Sequence, residues 1–157
     1  MNFAFLINVV QLTHFVMNIR YFTALWISLI LCFSAQSQVT GLWKTIGDVD
    51  RTEKSIVEIY EENGKLYGKV LKLLPSAKHT ICYKCPGELK DKPIEGMIIL
   101  YDLNKTPNGG NNGKAFDPSS GNTYKCNISL EGPDKLKVRG YIGVPTIGRT
   151  QYWYRVK

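Results

Sequence analysis

A length of 157 residues is one domain's worth of chain. The 20 basic and 13 acidic residues leave a net charge of +7. The lysines are scattered at strand-like spacing with acids between them, so no dense basic run marks a nucleic-acid surface, and most read as a solvated outer face.

In chain order, the first segment differs from the rest. Residues 21–33 are almost all apolar, with Arg20 before them and Ser34-Ala35-Gln36-Ser37 after. A basic flank, a short apolar run and small residues at Ala35 and Ser37 are what export and signal-peptide cleavage require, which places cleavage before Gln38. The run is too short to cross roughly 30 Å of hydrocarbon as a helix. Met17 would begin a more ordinary signal peptide than Met1. Cys32 raises lipidation, but Leu31 is larger than the residue that processing needs before the cysteine. The expected mature chain is 38–157, with 19 basic and 13 acidic residues and no transmembrane span. It is long enough to bury a core.

Within 38–157 no stretch carries a 3.6-residue apolar period. Short runs rich in Val, Ile, Tyr and Leu recur between Gly, Asn, Asp and Pro, and predict strands near 41–46, 54–60, 65–73, 96–102, 113–116, 122–130, 135–142 and 149–156. Asn63-Gly64 supplies the positive φ angles of a tight hairpin turn. Tyr124, Cys126, Ile128 and Leu130 share one face of their strand, and Leu136, Val138 and Ile142 share one face of the next. One wet face and one buried face describe an antiparallel sheet. About eight such strands in hairpin order predict an all-β fold, an up-and-down barrel or strongly curled sheet, with room inside for side chains or one small ligand. Residues 75–93 read as a long irregular loop, and 104–113, with its glycines and asparagines, as a flexible loop tip.

Cys82-Tyr83-Lys84-Cys85 reads as a local disulfide in an oxidising compartment, because Pro86-Gly87 follows where a redox C-x-x-C would start a helix. Cys126 lies on an apolar strand face, as a small buried hydrophobe or as a partner for one of the loop cysteines. His79, Cys82, Cys85 and Cys126 also make the alternative of a structural zinc site, although a single C-x-x-C supports it weakly and no metal or other cofactor is assigned. Hydrolytic chemistry has few candidates: His79 is the single histidine after residue 37, and no serine sits in a nucleophile-elbow pattern. Arg149, Gln151, Trp153 and Arg155 share one face of the last strand. The arginines there flank a tryptophan that either stacks on a ligand or plugs a barrel end. Alternation puts Arg139 with the lysines on a polar face.

Several segments together carry a resemblance: Gly41-Leu42-Trp43-Lys44, residues 55–60, residues 65–70, the Cys82/Cys85 pair, Lys92-Pro93-Ile94, residues 138–143 and Gly148-Arg149-Thr150-Gln151-x-Trp153. They resemble the bacterial exported proteins grouped as domain of unknown function 2147 across essentially all of 40–157. Gly41-x-Trp43 is also similar to the first strand of lipocalins and fatty-acid-binding proteins. That second likeness implies a calycin barrel in which an arginine near the chain's end, Arg149 or Arg155, covers the tryptophan.

The sequence reading is therefore an exported domain, periplasmic or secreted, that binds a small apolar or amphipathic ligand. Arg139, Tyr141, Arg149 and Trp153 are expected at the ligand, Trp43 and Arg155 in structural roles. The alternatives are an interaction module of the cell envelope and, last, a redox or anion-binding enzyme.

Overall fold

The computed structural model describes residues 38–48 and 50–157. The expected signal segment and its alternative start lie outside the described residues. Eight strands follow one another: β1 (Gly41–Ile46), β2 (Glu53–Glu62), β3 (Lys65–Leu73), β4 (Ile98–Thr106), β5 (Gly109–Asp117), β6 (Asn122–Leu130), β7 (Lys135–Tyr141) and β8 (Gly148–Arg155). Each pairs antiparallel with the next, and β8 pairs with β1, so the sheet closes into a barrel. Closure leaves no sheet edge unpaired, which is how a short-stranded antiparallel sheet avoids sticking to others.

Alternation decides which side chains go inside. On β1 and β2, Trp43, Thr45, Ser55, Val57 and Ile59 are buried while their neighbours are wet or half-buried. On β6 and β7 the same rule buries Cys126, Ile128, Leu136 and Val138, as the period-2 pattern predicts. Between β2 and β3, Asn63 and Gly64 both take positive φ, 50° and 75°, the geometry of a primed two-residue turn.

The up-and-down order sorts the connections by end. The tight β2–β3, β4–β5 and β6–β7 turns gather at one end with both termini of the described chain. The β1–β2, β3–β4, β5–β6 and β7–β8 loops gather at the other. The first end is filled by Trp43, Leu66, Leu103, Ile128 and Leu136.

One expectation is corrected. Residues 104–113 are not a loop tip: β4 runs to Thr106 and β5 starts at Gly109. Gly109, Gly110 and Gly113 are buried strand residues. A Cβ on Gly113 would overlap the Leu103 side chain, and one on Gly110 would come within 3.1 Å of both Leu66 and Leu103. Glycine is used here because the barrel narrows around two leucines, and the chain is not flexible on that account.

The β3–β4 connection is long, as expected, but ordered by backbone bonds. Cys82 donates its N–H to Lys92 O at 2.9 Å and Ile94 to Thr80 O at 2.9 Å, folding 80–94 back on itself around an Ile81–Pro93 bridge.

Candidate ligand cavity

At the loop-bearing end the barrel is hollow. A cavity of about 760 Å³ opens there, within the range of small-molecule sites. Its walls differ by strand. Val70 on β3, Leu100 on β4, Ala115 and Phe116 on β5 and Val138 on β7 are apolar, whereas Thr45 on β1, Ser55 on β2 and Gln151 on β8 are polar.

Register fixes the depth of these groups. Trp43 pairs across to Val57 on β2 and to Arg155 on β8, forming the sealed layer. One inward step higher, Thr45 pairs with Ser55 and Trp153, and these three line the cavity as its floor. Trp153 is 3% exposed. The Thr45 and Ser55 hydroxyls lie 2.8 Å apart. Above them, Gln151 accepts from the Trp153 indole N–H at 3.4 Å and donates to Asp48 Oδ2 at 3.1 Å. Arg149 completes the chain with an ion pair from its Nε to the same Asp48 oxygen.

The rim is built from the loops. Lys54 bonds Asp50 and the Ser76 carbonyl, tying the β1–β2 loop to the β3–β4 loop. That Lys54 hydrogen bond, with help from the Thr52 backbone N–H, lowers the exposed Asp50 carboxyl to about 2. Ile142 and Ile147 of the β7–β8 loop line the mouth, and each is 69% exposed. Cys82 and Cys85 form a disulfide with Cα atoms 5.4 Å apart. Both cysteines are buried, and Cys82 Sγ lies 3.2 Å from the Pro118 carbonyl oxygen of the β5–β6 turn.

The expected site residues separate. Tyr141, Arg149 and Trp153 all line the cavity. Arg139 does not, because the alternation that turns Val138 inward turns its neighbour out. Its guanidinium donates to the carbonyls of Pro145 and Thr146 and to the Thr150 hydroxyl, pinning the β7–β8 loop from outside. Of the two arginines weighed for the tryptophan, Arg155 is the one that lies over Trp43, its guanidinium carbon 4.2 Å from the ring centroid. It also donates to the carbonyls of Pro133, Thr40 and Gln38, while Trp43 Nε1 donates to Val39 O at 2.8 Å. Gly41 has φ of 123° and sits where a Cβ would be 3.1 Å from Arg155 Nη1, so both conformation and space call for glycine in Gly-x-Trp.

The zinc alternative does not assemble. Cys82 and Cys85 are joined to each other, His79 lies at the exposed rim, and no group of three metal-ligating side chains converges among the described residues. Cys126 is a free thiol inside the barrel, pushed up to about 12 by burial and hence neutral through the physiological range. Thr45, Ser55 and Asp48 are cavity residues that the sequence reading passed over. The hydroxyls were readable from period 2, since they continue the inward faces of Trp43 and Val57.

A closed eight-strand barrel with one plugged and one hollow end defines a lipocalin-like, calycin-type architecture. The chain belongs to the bacterial family described as "Uncharacterized protein conserved in bacteria (DUF2147)", whose model matches residues 41–155. Among solved structures it is similar to protein HP1028 from Helicobacter pylori, described as belonging to the lipocalin family. The two share 24% identity with a TM-score of 0.68, over 76% of this chain and 84% of that one. No protein of curated function matches the sequence.

Proposed function

We propose that this chain is an exported binding protein that holds one small apolar or amphipathic molecule in the open end of its barrel. The observation that carries the proposal is the cavity of about 760 Å³, apolar on four strands and floored by Trp153 and two hydroxyls. Burying apolar ligand surface against such walls supplies about 25 cal/mol per Å². In this reading Trp153 is the floor the ligand rests on, Tyr141 part of the wall, and Arg149 a gatepost at the mouth, with Arg139 acting only through the loop it pins. Trp43 and Arg155 seal the far end without touching ligand. Export is supported by the residue pattern of 1–37 and by the Cys82–Cys85 disulfide, a bond suited to an oxidising compartment. The periplasm or the extracellular medium is the proposed location.

Two tryptophans follow residue 37, and Trp153 alone lines the cavity, so a Trp43→Phe variant carries a single reporter. Titrating it with a panel of apolar and amphipathic molecules is expected to give a saturable fluorescence change at one ligand per chain. Native mass spectrometry of protein taken from its own compartment is expected to show the same stoichiometry. A flat signal across the panel together with a bare mass would reject the proposal.

A further inference from the structure

We propose that the ligand enters polar end first and that this end is an uncharged hydrogen-bonding group, a hydroxyl or carbonyl carried on an apolar chain. The inference rests on the cavity being a binding site and names the class of molecule it takes.

The floor decides it. Thr45 and Ser55 are 9% and 7% exposed, and their oxygens are 2.8 Å apart. Each hydroxyl brings one proton, and a single proton joins the two, so the pair keeps one O–H donor and unused lone pairs. A ligand hydroxyl placed on the pair can donate and accept at once, and a ligand carbonyl can accept. On the neighbouring strands β3 and β4 stand Val70 and Leu100, which offer a chain only apolar contact.

A charged head finds no counter-ion there. Arg155, the cation beneath the floor, lies on the far side of Trp43 with its donors directed to the carbonyls of Gln38, Thr40 and Pro133. Lys54, Lys78, His79 and Arg149 line the cavity only from loops or strand starts at its rim. The carboxylate bonded to the polar wall is Asp48, which repels an anion and already holds Arg149 and Gln151. A carboxylate on the floor would lose its hydration with nothing to replace it. An ammonium would face hydroxyl oxygens but no carboxylate within the floor layer. Both are strongly disfavoured, whereas a neutral hydroxyl exchanges water for the hydroxyl pair at little net loss.

The test is calorimetric titration of the mature protein at pH 8 with decane, 1-decanol and decanoate, repeated on the double variant Thr45→Val/Ser55→Ala. Replacing both members of a buried pair by apolar groups of similar shape is close to neutral for stability, and a thermal melt checks that the variant folds. For the wild type, 1-decanol should bind about tenfold or more tighter than decanoate. In the double variant 1-decanol should lose about tenfold while decane is unchanged or tighter. Decanoate binding as well as 1-decanol, or 1-decanol indifferent to the double substitution, overturns the inference and leaves the cavity reading standing. Failure of all three compounds to bind overturns both.

Discussion

The two ends of the barrel are made from the same strands and differ in what each places one inward step apart. On β1 the inward residue changes from Trp43 to Thr45, on β2 from Val57 to Ser55, and on β8 from Arg155 through Trp153 to Gln151. The lower layer is bulky and closed; above it Thr45 and Ser55 are small beside Trp153, and the cavity opens over all three. A blind cavity thus needs no special loop, only a change of side-chain size at a fixed depth on adjacent strands. The plug end is held by a cation–π contact and side-chain bonds to backbone carbonyls. The mouth relies on a disulfide, on bonds from Lys54 and Arg139 to loop carbonyls, and on exposed ion pairs, which are individually weak.

If the plug is the structural half, its loss should dominate stability. Trp43 is fully buried, and Trp43→Ala is expected to cost about 3–5 kcal/mol in urea unfolding, the range for removing a large core aromatic. A cost below 1 kcal/mol would mean that the closed end does not hold the barrel together. Arg155→Met comes next, at about 2–3 kcal/mol, since it removes three hydrogen bonds to backbone carbonyls and the cation over Trp43 while keeping an unbranched apolar stem. A loss of cavity binding without a loss of stability would place Arg155 in the ligand site instead.

The mouth should respond locally. Breaking the disulfide by Cys82→Ser/Cys85→Ser releases a short ring, worth about 2 kcal/mol in chain-entropy terms. Hydrogen exchange should rise across residues 74–97 while the amides of β6 and β7 stay protected. Deprotection spread over the whole sheet would mean that the loop is part of the core.

How much of this was readable in the sequence depends on how local each signal is. β6, and β7 as far as Val138, stand where their alternation puts them, because a half-buried strand prints its period on consecutive residues; Ile142, expected on the same face, lies beyond β7 and is exposed. The Asn63-Gly64 turn is equally local. β5 was half missed: Gly-Gly-Asn-Asn is ordinarily a turn, and only the proximity of Leu66 and Leu103, which lie 44 and seven positions upstream of Gly110, makes glycine a strand residue. The choice between Arg149 and Arg155 needed the β1–β8 register, which sets Trp43 against Arg155. Asp48 carried no signal at all, since its partners Arg149 and Gln151 are about a hundred residues away. Arg149 and Trp153 share the face of β8 that period 2 reads from the sequence, and both line the cavity. On β7, Tyr141 has the parity of Arg139 and is nonetheless buried, because the alternation breaks between Val138 and Tyr141.

The smallest expected effect is the sharpest discriminator between the ends. Arg149 and Arg155 lie six residues apart on one strand, and both contact a carboxylate from another segment. Arg149 is 66% exposed while Asp48 is 18% exposed, so water reaches the pair from the arginine side. Exposed pairs of this kind contribute about 0–1 kcal/mol, because salt and water screen the attraction and two side chains must be ordered to make it. Arg149→Met should therefore change unfolding free energy by no more than about 0.5 kcal/mol, and Gln151 still gives Asp48 a donor. If Arg149→Met instead destabilises as much as Arg155→Met, the mouth is clasped as firmly as the plug. The cavity would then be a closed chamber, and the view of the barrel as one sealed and one open end would have to be given up.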